Sequence, residues 1–290
     1  MLIIYNPTAG RRRAQRLWLV LDILAESGVR FDVIRTNGPG HATILAREAA
    51  NTGTATVVAA GGDGTIADVA AGLNGSGTSL GIIPLGTANV LAHELRLDFA
   101  PPAIAAVLAF GRGREIWPGI ATGANGSRLF VQMVGAGFDA QVVHRIQRPL
   151  KRLLGRGAYV VQTLIELAGY QFPPLSLIID GEPITAGSVI VSKGRLYAGN
   201  YLLAPHASPF QPGFTVAIFR NTGPFHTLLY GAALPLDLLP HMAGVELRTA
   251  RQIEISARPL TPVQADGDAA GFLPLSITDA LHSTKLLLPC

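Results

Sequence analysis

Ala59-Ala60-Gly61-Gly62-Asp63-Gly64-Thr65 decides how this chain is read. The stretch follows Ala55-Thr56-Val57-Val58, an apolar run that predicts a short buried strand, and precedes Ile66 to Leu73, which predicts a helix. A strand that ends in glycines and opens onto a helix presents unpaired backbone N–H groups and the positive end of the helix dipole, a geometry that favours phosphate. The glycines let a polyphosphate approach the main chain, and Asp63 sits among them as a group able to hold a metal ion or a proton. No G-x-x-x-x-G-K-[ST] sequence occurs, so this is not a Walker A loop.

The same arrangement recurs along the first part of the chain. Tyr5-Asn6-Pro7-Thr8-Ala9-Gly10 follows the apolar run Leu2-Ile3-Ile4. Thr36, with Gly40-His41-Ala42, follows Phe31 to Ile34, and Pro84-Leu85-Gly86-Thr87-Ala88-Asn89 follows Leu80 to Ile83. The patterns predict strands at 2–5, 31–35, 55–60 and 80–83, and helices at 11–27, 41–51, 65–74, 88–95 and 101–111. This is the alternation of a doubly wound α/β sheet, in which such loops gather at the carboxyl ends of the strands and bind ligands there.

From about Arg114 the rhythm changes. Short apolar or alternating runs at 119–121, 128–134, 175–179, 188–192, 214–219 and 251–256 are separated by Gly, Pro and Asn turns, which predicts an antiparallel β domain. A helical hairpin at about 139–170 interrupts it.

These motifs resemble those of the lipid kinases that include bacterial diacylglycerol kinases, YegS-like lipid kinases and sphingosine kinases. The matching pieces are Asn6 to Gly10, Thr36 with Gly40-His41-Ala42, Gly61 to Thr65, Pro84 to Asn89, Gly135-Ala136-Gly137-Phe138-Asp139-Ala140, and Gln264-Ala265-Asp266-Gly267-Asp268. The resemblance implies an N-terminal NAD kinase-like α/β nucleotide-binding domain at 1–116, followed by an antiparallel β-sandwich-like lipid domain at 117–274. It also implies that 275–290 returns to the first domain.

It further implies that Asn6, Pro7, Thr8, Ala9, Gly10, Thr36, Gly61, Gly62, Asp63, Gly64, Thr65, Ile66, Ala67 and Thr87 line ATP, and that Asp63 handles Mg²⁺ with the nucleotide. Two Asp-Gly-acid triplets compete for the proton acceptor. Asp180-Gly181-Glu182 carries an ordinary hairpin signal. The family places its essential acid in a Gln-x-Asp-Gly-Glu motif, which fits Gln264 to Asp268. The resemblance therefore assigns Asp268 as general base, with Asp266 orienting it or binding Mg²⁺ through water.

The sequence departs from the family at three places. Asp268 stands where Glu is usual, which shortens the reach by one methylene. Ala67-Asp68 stands where Asn-Glu is common. Many bacterial members hold a structural Mg²⁺ with an Asp just after an Ala-Pro-x-Ala motif. Here Ala204-Pro205-His206-Ala207 leads into Ser208-Pro209-Phe210-Gln211-Pro212-Gly213, which has no acid. Hard divalent cations want carboxylate oxygen, so no structural Mg²⁺ is expected in that loop.

The 290 residues suit one large or two ordinary domains. No apolar run of 18 residues appears; the richest, Thr227 to Val245, is broken by Pro235, Asp237, Pro240 and His241. The N-terminus shows no secretory signal pattern, and the one cysteine, Cys290, permits no disulfide within the chain. These features predict a cytoplasmic protein, peripherally associated with the membrane that holds its lipid. The segment His144 to Arg156, with His144, Arg145, Arg148, Lys151, Arg152 and Arg156 between leucines and isoleucine, reads either as a contact with an anionic membrane surface, which a lipid kinase would need, or as a solvated helix face. Arg11-Arg12-Arg13 steers ATP or solvates a helix start. Nucleic acid is a poor partner, because the basic residues are not interleaved with stacking aromatics. Two other functions fit parts of the pattern: a soluble-nucleotide kinase, since NAD kinases share Gly-Gly-Asp-Gly-Thr, and a non-catalytic lipid- or nucleotide-binding regulator. Oligomeric state is not encoded in any of these motifs.

Overall fold

A computed structural model describes residues 1–9, 14–146, 157–258 and 260–289, with nothing said of the side chains of Ala158 and Tyr159. The chain divides into two units, Met1–Trp117 with Leu281–Cys290, and Pro118–Ala280.

In the first unit, β1 (Leu2–Tyr5), β2 (Asp32–Arg35), β3 (Thr56–Gly61) and β4 (Ser79–Pro84) alternate with α1 (Ala14–Glu26), α2 (His41–Asn51) and α3 (Asp63–Leu73). After β4 come α4 (Val90–Glu94), α5 (Pro101–Phe110) and β5 (Arg112–Ile116). β3 and β4 are buried almost throughout, which is why they read as continuous apolar runs rather than alternating ones. The edge strand β2 is exposed. α1 buries Leu17, Val20, Leu21 and Leu24, one face of a helix, against Ile3, Val58 and Ile83 of the sheet and Ile104 and Leu108 of α5. α3 lies close on α2 because position 72 has no side chain: a Cβ there would sit 2.5 Å from Thr43 O and 2.6 Å from the Ala46 Cβ.

The second unit contains β6 (Gly119–Gly123), β7 (Gly126–Phe130), β8 (Met133–Ala136), α6 (Phe138–Arg145), α7 (Gly157–Leu167), β9 (Leu175–Ile179), β10 (Glu182–Ala186) and β11 (Ser188–Ser192). It continues through β12 (Leu196–Tyr197), β13 (Tyr201–Leu202), β14 (Phe214–Phe219), α8 (Pro224–Ala233), β15 (Val245–Ala250), β16 (Ile253–Ala257), β17 (Pro262–Ala265), β18 (Asp268–Phe272) and β19 (Leu275–Asp279). Two six-stranded antiparallel sheets, in the orders β10-β9-β16-β19-β6-β7 and β15-β14-β11-β8-β17-β18, share one apolar core. β9 alternates buried and exposed residues, as a strand with one face on that core must. Phe130 from one sheet stacks on Phe214 from the other at 6.0 Å between ring centres. Gly119 makes room for them, since a Cβ there would lie 2.2 Å from the Phe130 ring.

The last strand, β20 (Thr284–Leu288), belongs to the first unit. It lies between β4, to which it is parallel, and β5, to which it is antiparallel, completing the order β2-β1-β3-β4-β20-β5.

Several expectations need adjustment. The return to the first unit begins at Leu281, not 275, because 275–279 is β19, paired with β6 and β16 in the sandwich. The run at 128–134 is two strands in different sheets, β7 and β8, with Val131 and Gln132 between them. All residues from Phe130 to Val134 are buried, so the pattern held no sign of the break. The helix expected at 88–95 is only Val90–Glu94, because Asn89 has φ 49° and cannot lie inside a right-handed helix. The helix expected from 65 starts at Asp63, and the one expected from 11 is described from Ala14. Of the hairpin at 139–170, α6 and α7 are described. Arg148, Lys151, Arg152 and Arg156 lie outside the described residues, as do Gly10 and Arg11 to Arg13. Thr227 to Val245 holds most of α8, two single 3₁₀ turns and the start of β15. Among the described residues, no helix is long and apolar enough to cross a membrane.

Candidate active site

Strand register aligns the loops of the first unit. Tyr5 pairs with both Arg35 and Ala60, and Gly61 pairs with Pro84. The residues that follow, Asn6, Thr36, Gly62 and Leu85, therefore leave the sheet along one edge, at the carboxyl ends of four parallel strands. Asn6 joins two of the loops. Its amide nitrogen donates to Thr65 Oγ1 at 2.9 Å, and its Oδ1 accepts from the Thr8 N–H at 3.0 Å and the Thr8 hydroxyl at 2.8 Å. Pro7 and Ala9 complete that turn, with the Ala9 N–H donating to Asn6 O at 3.1 Å.

The glycines serve close packing of main chain here. A Cβ on Gly61 would lie 2.5 Å from Thr65 Cβ, and one on Gly86 would lie 2.5 Å from Gly62 Cα. The loops after β3 and β4 thus touch backbone to backbone. In the first turn of α3, the N–H groups of Gly64 and Thr65 precede the first intrahelical bond, from Ile66 N to Gly62 O, and so have no carbonyl to bind within the helix. The Ile66 and Ala67 side chains, in contrast, are buried in the core. Thr36 and Thr87 are half-buried on the loops after β2 and β4.

Asp63 opens α3, and its Oδ1 accepts from the Leu91 N–H at 3.3 Å, at the start of α4. Burial raises its pKa to about 6, against the main-chain N–H groups of Leu91, Val90, Asp63 itself and Asn89, which lower it. The surrounding atoms thus desolvate this carboxylate more than the amides compensate it. Close by, Asn89 is 2 % exposed. Its nitrogen donates to Gly86 O at 2.9 Å while its Oδ1 has no partner among the described residues. An under-compensated carboxylate and an unmet amide oxygen are the hard oxygen donors that a Mg²⁺ ion takes, with phosphate and water supplying the rest. Among the described residues there is no group of three or more His, Cys, Asp or Glu side chains placed to hold a metal unaided.

In the second unit the two Asp-Gly-acid triplets adopt the same turn. Asp180 and Gly181 have φ 48° and 89°; Asp266 and Gly267 have φ 50° and 80°. Two consecutive left-handed residues make the tight hairpins that join β9 to β10 and β17 to β18. Each Asp then fastens a neighbouring corner. Asp180 Oδ1 accepts from the N–H groups of Arg251 at 3.0 Å and Gln252 at 2.8 Å. Asp266 Oδ2 accepts from Val131 N–H at 2.8 Å, and its Oδ1 from those of Gln132 at 2.8 Å and Met133 at 2.9 Å. The carboxylate of Asp266 is therefore what turns the chain from β7 into β8. Asp268 differs from its neighbour: its side chain is about half exposed, with the Arg128 guanidinium at 4.0 Å.

The Asp266 turn is tied to Asp139. Gly267 N–H donates to Gln264 Oε1 at 3.0 Å, and Gln264 Nε2 donates to Asp139 Oδ2 at 3.0 Å. Asp139 Oδ1 accepts from the Tyr197 hydroxyl. Burial raises the Asp139 pKa, opposed by these two hydrogen bonds. Gly137 holds the N-cap position of α6, and Asp139, in the first turn of that helix, turns to Tyr197 and Gln264. Nothing in the sequence marked Tyr197.

Comparison with known proteins agrees with this architecture. Residues 1–118 match the family profile described as diacylglycerol kinase catalytic domain, and residues 132–286 match the YegS C-terminal NAD kinase beta sandwich-like domain. A probable YegS-like lipid kinase of Chromohalobacter salexigens is 36 % identical over 252 residues, covering 84 % of this chain and 79 % of that one. The chain belongs to the diacylglycerol kinase and YegS-like lipid kinase family. A diacylglycerol kinase of Mycobacterium tuberculosis is 30 % identical over 271 residues, covering 89 % of this chain and 85 % of that one. A solved structure of a putative diacylglycerol kinase from Bacillus anthracis superimposes with a TM-score of 0.81 at 21 % identity, over 99 % of this chain and 94 % of that one; this likeness concerns the fold.

This member of the lipid kinase family places a lysine beside the loop that lacks the family's acid. The Lys193 side chain is fully buried, and its ammonium donates to Asp279 Oδ1 at 2.7 Å, Gly213 O at 2.9 Å and Gln211 O at 3.4 Å. It also lies 4.6 Å from the centre of the Phe214 ring. Burial lowers its pKa, and Asp279 opposes the shift. Oxygens that converge on a point inside the protein are thus met by a positive charge on the chain itself. Chelator in the absence of nucleotide should therefore leave the melting temperature within about 1 °C of its original value, since no ligand-linked stability is lost at this loop. Lys193→Met should lower stability by about 2 kcal/mol, less than a typical broken buried pair. The reason is that Asp279 keeps the Gly213 N–H at 2.7 Å and Arg251 at 3.9 Å. Thermal melts of both proteins with and without EDTA test this; a fall of the parent's melting temperature in EDTA refutes it.

Proposed function

We propose that this chain transfers the γ-phosphoryl group of ATP to a hydroxyl of diacylglycerol or a related lipid. The observation that carries the reading is the row of four loops at the carboxyl ends of β1 to β4, packed main chain to main chain at Gly62 and Gly86, with α3 opening on Asp63. The N–H groups of Gly64 and Thr65 and the polar groups of Asn6, Thr8, Thr36 and Thr87 offer the donors that nucleotide phosphates take. Mg²⁺ bound with the nucleotide supplies charge neutralisation on the phosphates; Asp63, with Asn89 Oδ1, is the set of oxygens that would hold it. Asp268 accepts the proton of the attacking hydroxyl. Asp266, engaged by three main-chain N–H groups, orients the turn that presents Asp268. Family membership favours a lipid over a soluble nucleotide as acceptor. A cytoplasmic protein that visits the membrane fits this chemistry. Phe225, Leu228 and Leu229 on α8, and Leu236 and Leu238 after it, are exposed and offer an apolar contact for a bilayer.

Incubation with γ-labelled ATP, Mg²⁺ and a mixed lipid extract tests the reading. Label in the organic phase, dependent on both ATP and Mg²⁺, is the expected result. Phosphorylation of NAD in place of lipid would establish the soluble-nucleotide function, and nucleotide binding with no transfer would establish a regulator.

A further inference from the structure

Asp139, in the Gly135 to Ala140 motif, has no part in the transfer proposed above, yet a hydrogen-bond chain runs from it into the Asp266-Gly267-Asp268 turn. Its Oδ1 accepts from the Tyr197 hydroxyl, and its Oδ2 accepts from Gln264 Nε2 at 3.0 Å. Gln264 Oε1 in turn accepts from the Gly267 N–H at 3.0 Å. The Asp139 carboxylate accepts and the Gly267 N–H donates, so the amide between them can lie only one way round. Gln264 is 2 % exposed, which keeps water from competing for either end. Gly135 makes room for the meeting. It pairs with Gln264 across β8 and β17, and a Cβ on it would lie 2.7 Å from Asp139 Oδ2 and 2.8 Å from Gln264 Nε2.

The hairpin does not need this chain in order to form. The Asp180-Gly181 turn has the same two left-handed residues, at φ 48° and 89° against 50° and 80°. Ile179 pairs with Glu182 there as Ala265 pairs with Asp268, so Ile178 stands where Gln264 does, and it has no polar side-chain atom. The tether belongs to the turn that carries Asp268. An aspartate has only two side-chain torsions, so the main chain of the turn sets most of the position of its carboxylate. We propose that Asp139 and Gln264 are positioning residues, which hold the Gly267 main chain where Asp268 meets the hydroxyl of the lipid. The inference rests on the reading of Asp268 as the proton acceptor of a lipid kinase. Asp266 fixes the turn to the β7–β8 corner, while Gln264 and Asp139 fix it to the first turn of α6. One anchor leaves the tip of the hairpin free to rock, and a second on another element removes that freedom.

The test measures kcat and KM of the full chain and its variants with ATP, Mg²⁺ and the lipid that the extract assay labels, at a temperature where circular dichroism shows each variant folded. Asp139→Ala and Gln264→Met should each lower kcat about 10- to 100-fold, the scale of a reacting group misplaced by up to about 1 Å. KM for ATP and for the lipid should stay near the parent's. The double variant should be no worse than the poorer single one, because both cut the same chain. Asp139→Asn should keep most of the parent's kcat, since its oxygen still accepts from Gln264 and its nitrogen donates to the Tyr197 oxygen. Gly135→Ala removes no partner; its methyl pushes apart two flexible side-chain ends, so the protein should fold and show the same loss of kcat. Parental kcat in folded Gly135→Ala and Gln264→Met would overturn the inference and leave the chain a device of the fold alone. Asp139→Asn as slow as Asp139→Ala would overturn it by making charge, not the tether, the cause. Losses that multiply in the double variant would overturn it by giving the two residues separate tasks. A parent that phosphorylates no lipid, or Asp268→Ala with parental turnover, fails the functional reading and takes this inference with it.

Discussion

Asp266→Ala is expected to lower the melting temperature of the protein by about 10 °C, while Asp268→Ala, two residues away, leaves it nearly unchanged and removes activity. Deleting the Asp266 carboxylate strands the N–H groups of Val131, Gln132 and Met133, all three in buried surroundings. Each unmet buried donor costs about 1–3 kcal/mol, and alanine at φ 50° adds about 1 kcal/mol more. The sum, at least about 4 kcal/mol, is a large part of the 5–15 kcal/mol that holds an ordinary domain together, and each kcal/mol moves the melting temperature by about 2–4 °C at this size. The Asp268 side chain is half exposed, with the Arg128 guanidinium 4.0 Å away, so its loss is structurally mild. Removing a general base should cut turnover by about 100- to 10,000-fold. Asp268→Glu, which restores the family's residue, should keep activity, and so should Asp180→Ala, whose partners lie at an exposed corner. Circular dichroism melts alongside kinase assays decide the matter. Asp268→Ala with parental turnover, or Asp266→Ala with a parental melt, would refute the division of labour between the two acids.

Asp63→Asn should make the nucleotide-free protein more stable and much less active. The folded protein holds the Asp63 proton up to a pH of about 6, whereas the reference value is 3.8. The fold therefore binds this proton more tightly than the unfolded chain does, and stability falls as pH rises from about 4 to about 6. Above that range the ionised, desolvated carboxylate costs up to about 3 kcal/mol, from about two pKa units at 1.36 kcal/mol each. Asparagine carries no charge to desolvate and keeps one oxygen for the Leu91 N–H. The variant should gain stability over the parent at pH 7.5 in EDTA, and the gain should vanish near pH 4. Turnover should drop at least about 100-fold, the scale of one major electrostatic contributor. A residue that destabilises the empty protein while supporting its reaction is characteristic of functional sites. Lower stability of the variant at pH 7.5 would show that Asp63 serves mainly to cap α4. Near-normal turnover would remove it from the mechanism.

The α/β half was legible because its signals are local. β3 and β4 are buried on both faces and so are apolar after their first residues, Thr56 and Ser79, and the glycines that let their loops touch stand next to them in sequence. Asp63 could be singled out for the same reason. The acid-free loop at 208–213 was readable as a departure. What compensates it was not, since Lys193 and Asp279 are far apart in sequence and each alone is an ordinary charged residue. The β7–β8 corner was invisible because five consecutive buried residues look like one strand, and the carboxylate that breaks them lies at position 266. Asp266 was read as a chemical group because its motif is chemical. The turn also has a mechanical task, and that task is defined by N–H groups more than 130 residues away.

The placement of β20 bears on how the protein is born. The sheet of the first unit has its slot between β4 and β5 filled by residues 284–288, with Leu286 fully buried there. Ribosomes release the chain from its N-terminus, so every residue of the 118–280 unit is made before the strand that completes the earlier sheet. Until then β4 and β5 each carry an unpaired edge, the kind of surface that recruits a strand from another molecule. The later-encoded unit is thus the first that can finish folding, and the sheet of the first unit closes only after residues 284–288 have been made. A nascent chain truncated before residue 284 should therefore be a substrate for chaperones and proteases despite containing every residue assigned here to the site.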